Sequence, residues 1–268
     1  MEIDHFQALR PPACAMSTLP PKLSAAIDGV PMEYLLAGSG APPIVLINDA
    51  GAPLEGWYKM LPALAALGTV FAYNRCGIGN SGSAREAQTG AAMMETLRAL
   101  LFKADLAPPY VLVAHALGGL IANLFARSYA GEVAAVVWLD ASAPEEMDAR
   151  QARQGRLSQW LRRALDLAQD RDTLNETGQL SRSVEQIAEA PPFPDIPLTL
   201  LCAAPPTLPW LTSQAELDAR VAGQRRLAAL SPRGCRVVTA GSGHFPQLSE
   251  PELALAAVRD ALAAISRR

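Results

Sequence analysis

Six short, nearly unbroken apolar runs recur along the chain: "PIVLIN" (43–48), "TVFAY" (69–73), "YVLVA" (110–114), "VAAVVWL" (133–139), "LTLLCA" (198–203) and "CRVVTA" (235–240). A strand apolar on both faces must be covered on both faces, and a parallel sheet between two layers of helices achieves this. Helical periodicity fills the intervals: 56–67, 90–104, the stretch ending at Tyr129, a segment running to about residue 230, and 251–265. In 90–104 the leucines Leu97, Leu100 and Leu101 mark one face. Upstream, "LSAAIDGVPMEYLLAGSG" predicts a hairpin turning at Asp28-Gly29. The expected fold is α/β, a mostly parallel sheet flanked by helices.

The alternation breaks once. Residues 145–190 contain no strand-like run, and Leu157, Trp160, Leu161, Ala164 and Leu165 follow i, i+3, i+4, i+7, i+8 spacing in a polar segment. The chain therefore divides into a Pro-punctuated arm (1–21), a core (22–144 and 196–268) and an inserted helical cap (145–195). Half of the 268 residues are hydrophobic, enough for a sizeable core. A net charge of −3 without a basic cluster argues against nucleic acid, and no apolar run has membrane-spanning length. The pair Arg162–Arg163 reads as a solvated helix face. The first residues lack a basic start followed by an apolar block, so a cytoplasmic protein is expected. Three histidines and four scattered cysteines (Cys14, Cys76, Cys202 and Cys235) offer no paired metal spacing, and no metal or other cofactor is expected. Cys202 and Cys235 read as buried small hydrophobes.

Chemistry is suggested first by "VLVAHALGGL" (111–120). A strand leads into a tight turn with Gly118 and Gly119 and then into a helix, the frame of a nucleophile elbow. The position that should carry the reactive atom is Ala116, whose methyl can neither attack nor donate a proton.

With this segment the chain resembles the α/β-hydrolase family over roughly residues 22 to 266. "YNRCGIGNSG" (73–82) is similar to the family's Y-D-R-x-G-x-G-x-S, with Asn74 in place of Asp; "GSGHFPQLSEP" (241–251) is similar to its terminal histidine loop. The resemblance implies a base at His244 and an acid that orients it. No acid follows the seventh strand closely: Glu216 belongs to a capping box with Ser213, and Asp218 lies beyond it. "VVWLDASAP" supplies Asp140 directly at the end of the sixth strand, where haloalkane dehalogenases and zearalenone-type lactone hydrolases carry theirs. The implied oxyanion donors are the N–H groups of Leu117 and Ala50, the latter from "VLINDAGAP". Asn48 and Asp49 replace the family's His-Gly there, and the Asp49 carboxylate is expected to turn away from the oxyanion site or bind local backbone N–H groups. His115 reads as packing beside the elbow; His5 carries no signal.

Three functional classes remain open: a serine hydrolase with its serine replaced by Ala116, a non-catalytic ligand binder on the same fold, and an enzyme using another nucleophile such as Cys76 or Ser142. The first is favoured, because base, acid, donors and cap are all retained. Leu157, Trp160, Leu161 and Leu165, with Phe193 and Trp210, suggest an apolar pocket. The expected partner is a hydrophobic small-molecule ester or lactone, with weak likeness to zearalenone-type lactone hydrolases in the Asn48-Asp49-Ala50 loop, the early acid and "HFPQLSEP".

Overall fold

The computed structural model describes residues 19–141, 143, 175–203, 214–239 and 241–267, with the side chains of 214–216 left aside. The arm up to residue 18, Leu157, Trp160, Leu161, Leu165, Trp210, Ser142 and Ser213 lie outside the described residues.

The hairpin is built from β1 (Leu23–Ile27) and β2 (Val30–Ala37), with Ile27 opposite Val30. Asp28 and Gly29 both take positive φ, the conformation that a two-residue turn between twisted strands requires. The remaining strands are β3 (Ile44–Ile47), β4 (Val70–Tyr73), β5 (Tyr110–His115), β6 (Val133–Leu139), β7 (Leu198–Cys202) and β8 (Gly234–Val238). Among the described residues they form one eight-stranded sheet in the order β1-β2-β4-β3-β5-β6-β7-β8. β1 and β2 are antiparallel to their neighbours, and the others run parallel. This is the α/β-hydrolase fold that the resemblance implies.

Alternation along each strand distributes side chains between two apolar layers. Val45, Ile47, Leu112, Ala114, Val136 and Trp138 face one layer; Ile44, Leu46, Val111, Val113, Val137 and Leu139 face the other. The first layer is covered by α2 (Gly90–Lys103), α3 (Gly118–Ser128), α4 (Leu180–Glu189) and Leu227 of α5 (Gln214–Ala228). The second is covered by α1 (Leu61–Ala65) and α7 (Pro251–Ser266), with the short α6 (Pro246–Ser249) leading into the latter.

The helix expected over 56–67 is split. A 3₁₀ turn at Leu54–Trp57 precedes α1, which starts only where Pro62 can occupy the first turn. α4 falls in the segment read as cap and is pinned to α2. Ser183 Oγ accepts the N–H of Gly90 (2.8 Å) and Gln186 Oε1 that of Ala91 (2.9 Å), while Thr89 caps Ala92. Cys202 is buried as expected. Cys235 is not: β8 is the sheet's edge, and its outward positions are exposed.

Candidate active site

Chain order around β3 creates a cleft. From β3 the chain steps outward to β4, then returns to β5 on the other side of β3 and continues through β6 to β8. The carboxyl ends of β3 and β5 therefore diverge at a topological switch point, where open α/β sheets bind ligands. Ile47 pairs with Ala114 and His115 with Leu139, so the residues leaving these three strands (Asn48-Asp49, Ala116 and Asp140) emerge side by side.

Ala116 stands at φ 46° and Asp140 at φ 48°, left-handed values that L-residues with a Cβ adopt at a cost of about 1–2 kcal/mol. The conformation is held by backbone bonds: Ala116 N–H to Leu139 O (3.1 Å) and Asp140 N–H to Leu201 O (2.7 Å). Behind the elbow, α3 approaches β3 so closely that a Cβ on Gly118 would lie 2.5 Å from Ile47 O. Only glycine fits there.

His244 comes from the loop after β8. Its Nδ1 lies 2.9 Å from Asp140 Oδ2 and its Nε2 3.2 Å from Asp49 Oδ2. Donating from both nitrogens makes the ring an imidazolium. The bond to Asp140, and secondly that to Asp49, raise its pKa to about 9 against the opposing effect of burial. Burial alone would push Asp140 up. The bond from His244, the charge of Arg220 and the N–H of Ala203 outweigh it and hold the carboxyl below its ordinary range. Arg220 of α5 reaches Asp140 Oδ1 at 2.7 Å, beside Ala203 N at 3.0 Å. Nothing in the sequence marked Arg220 for this task; a single arginine in a polar helix carries no signal of its partner. Asp218 is exposed, and the side chain of Glu216 lies outside the described residues.

The carboxylate of Asp49 does not turn away from the oxyanion site. Its Oδ1 accepts the N–H of Ala50 (2.7 Å) and of Leu117 (3.1 Å), the two donors that the resemblance assigns to an oxyanion. Of the two outcomes expected, the bonding of backbone N–H groups is the one observed, and the groups bonded are these donors themselves. The physical reason is charge. Burial penalises an ionised Asp49, but His244, Leu117 and Ala50 all donate to it and together hold its pKa below the ordinary value.

The loop is built to present this carboxylate. Asn48 Nδ2 donates to Pro53 O (2.6 Å), and its Oδ1 accepts the N–H of Asp49 (3.1 Å). Arg75, buried after β4, donates to the carbonyls of Asn48 (2.9 Å) and Asp49 and pairs with Glu176, which also accepts the N–H of Gly51. Asn74, the departure beside it, receives the N–H of Leu54 on Oδ1 (2.7 Å) and donates from Nδ2 to the buried Glu33 (2.6 Å). An aspartate there would meet Glu33 as a like charge.

His115 is fully buried, and its Nε2–H donates to the carbonyl of His244 (2.7 Å). Burial lowers its pKa, so the ring is neutral. Cys76 is half-buried with its thiol pushed up by burial, a poor environment for a thiolate. Phe193 packs against Trp138, ring centroids 5.8 Å apart, with Arg127 over its face. A cavity of about 290 Å³ lies between α3, α4 and α5, lined among others by Asn123, Arg127, Ile187, Arg226 and Leu230. No helix among the described residues is long and apolar enough to cross a membrane.

Known proteins resemble the chain at two levels. An uncharacterised protein, YqjL, of Bacillus subtilis is 33% identical over 103 residues, which is 38% of this chain and 41% of that protein. The chain thus matches well under half of that relative's length. Among solved structures, the enol-lactonase of Burkholderia xenovorans LB400 has a TM-score of 0.63 at 21% identity, covering 90% of this chain and 100% of the other. A thermophilic esterase of Thermogutta terrifontis has a TM-score of 0.63 at 20% identity, covering 91% and 99%. At such identities these likenesses concern the fold. The model of the alpha/beta hydrolase family matches residues 44–258, from the first residue of β3 into the last helix, and the chain belongs to that family.

Proposed function

We propose that the chain is a hydrolase-type protein for a hydrophobic small-molecule ester or lactone, with Ala116 in place of the nucleophilic serine. As it stands it holds such a ligand without forming an acyl-enzyme. The observation that carries this reading is Ala116 itself: a methyl at φ 46° at the end of β5, where Asp140 orients His244 through Nδ1 as a general base requires, with Nε2 held by Asp49. An enol-lactonase and an esterase among the structures sharing the fold support the ester or lactone class. Apolar side chains of the inserted segment 145–195 would line the pocket.

The Asp49 carboxylate adds a second obstacle to acyl transfer. A tetrahedral oxyanion needs the N–H groups of Ala50 and Leu117, and Asp49 Oδ1 accepts both. Two substitutions, not one, are therefore needed for efficient serine chemistry. Fluorophosphonate labelling and p-nitrophenyl ester turnover should be absent in the unaltered chain, weak in Ala116→Ser, and at least tenfold faster in Ala116→Ser/Asp49→Gly. If the double variant neither labels nor turns over any ester or lactone, the hydrolase reading fails. The chain is then a ligand-binding homologue, which calorimetry with an apolar lactone panel on the unaltered protein would reveal.

A further inference from the structure

We propose that the cavity between α3, α4 and α5 binds a small carboxylate with an apolar body, its charge held by Arg127, Asn123 and Arg226. This site goes beyond the ester or lactone reading and does not rest on it, since Asp49, Ala116, Asp140 and His244 are not among the residues lining the cavity.

Arg127 lies nine residues beyond Gly118 on α3, about 13 Å along the helix axis from the elbow. Asn123 stands one turn closer, on the same face. Arg127 Nε donates to Asn123 Oδ1 (2.7 Å) and Nη1 donates to the carbonyl of Pro191 (2.8 Å). The guanidinium lies over Phe193, 5.9 Å from the ring centroid. These contacts fix the group in place, but none supplies a negative charge. Burial pushes the pKa of Arg127 down, and no carboxylate among the described residues opposes it. An arginine keeps its proton throughout the ordinary pH range, so the cavity wall carries a half-buried cation without a counter-ion.

Two further donors on the same wall lack an acceptor among the described residues. Asn123 is only 2% exposed; Arg127 uses its Oδ1, and its Nδ2 donates to nothing. A buried N–H left unpaired costs free energy that an acceptor on a ligand recovers. Arg226 of α5, at the exposed rim, has a guanidinium with neither a hydrogen bond nor an ion pair.

The acids of α4 are directed elsewhere. Glu185 and Glu189 pair with Arg182 (2.9 and 3.7 Å) on one side of the helix, while Val184, Ile187 and Ala188 line the cavity from the other. Leu227 and Leu230 close the remaining wall. The volume of about 290 Å³ is close to the lower end for small-molecule sites. Free donors gathered in an aliphatic cavity select an anion attached to an apolar body. A carboxylate meets this with two oxygens, one for the guanidinium of Arg127 and one for the Asn123 amide, with Arg226 as the second cation.

Calorimetry on the full chain tests this with octanoate, octan-1-ol and acetate. Octanoate should bind saturably at one site; octanol, without the charge, and acetate, without the chain, should each bind at least tenfold more weakly. Arg127→Met and Arg226→Met should each weaken octanoate about tenfold and leave octanol unchanged. Arg226 is exposed, so its replacement leaves the fold intact and keeps the test decisive if Arg127→Met does not fold. Ala188→Phe, which fills the cavity from its rim, should abolish binding of both octanoate and octanol. Octanol binding as tightly as octanoate overturns the role of the arginines, and acetate doing so overturns the apolar body. Undiminished octanoate binding in the arginine variants or in Ala188→Phe places the carboxylate elsewhere and overturns the site, as does the absence of saturable binding at millimolar octanoate. None of these results bears on chemistry at position 116, which the fluorophosphonate experiment decides separately.

Discussion

Asp49 Oδ1 lies 3.1 Å from the backbone N–H of Leu117, across a sheet edge and 68 residues along the chain. A side chain of the β3 loop thus closes a donor pair formed by Ala50 of its own loop and Leu117 of the β5 elbow. Its other oxygen joins that closure to the proton on His244.

The His244 ring should titrate near 9 when followed by NMR, well apart from neutral, buried His115. Asp49→Asn should lower that value, and Asp140→Asn should lower it further, since the Asp140 bond is the larger cause. The sign for stability follows from linkage. A raised folded-state pKa stabilises fully below the unfolded value near 6.5, and that contribution disappears as pH rises through about 9. The part of the stability gap of either variant that comes from His244 should therefore narrow in alkaline denaturation series. An unchanged midpoint in both variants would contradict this account.

Asn74→Asp should be strongly destabilising despite its near-identical shape. The side chain is fully buried, and it would replace a 2.6 Å donor to Glu33 with a second carboxylate. A loss of about 2–4 kcal/mol is expected at neutral pH in urea unfolding. The penalty needs both groups ionised, so it should shrink as pH falls into the carboxylate range. A loss independent of pH would point to packing instead.

Arg220→Met should cost about 1–2 kcal/mol at pH 7 by removing the ion pair on Asp140 Oδ1 while leaving the Ala203 bond in place. Asp140 is depressed below its ordinary value of 3.8, so its pairing stabilises above that pH and is lost as pH falls through the folded value. The difference between variant and parent should close on acidification. With Arg220 gone, Asp140 binds the His244 proton more strongly, and the imidazolium should titrate higher by NMR.

Gly118→Ala tests the approach of α3 to β3. The added Cβ would sit 2.5 Å from Ile47 O and 2.7 Å from Asn48 O, backbone atoms that cannot rotate away. About 1–3 kcal/mol of stability should be lost, and the Leu117 N–H should move relative to Asp49. Gly131→Ala, where nothing lies within 4 Å of the added Cβ, is the matched control.

The architecture was legible because each strand is apolar on two sides, and burial on two sides dictates helices on both faces. The elbow was legible as a strand, a turn and a helix with glycines where α3 meets β3. Asp140 could be singled out because it directly follows a strand, and His244 because its loop is similar to the family's terminal histidine loop. The direction of Asp49 was not legible: a sequence shows a carboxylate beside two donors but not the balance between its desolvation and three converging N–H groups. Arg220 was hidden for a related reason, since its partner lies 80 residues away and only α5 packing brings them together. The split of 56–67 follows from Pro62, whose preference for a first helical turn outweighed the longer periodicity.

The bond from His115 Nε2 to the carbonyl of His244 also has a mechanical meaning. β8 is the outermost strand on its side of the sheet, where fraying begins. Asp140 and Asp49 hold the ring, but without an attachment of its backbone the loop that carries it would follow every excursion of that edge. His115 leaves the centrally placed β5 immediately before Ala116, so it ties the base to the same rigid body that carries the elbow. Breathing of the sheet's edge is thereby uncoupled from the spacing between His244 and the elbow.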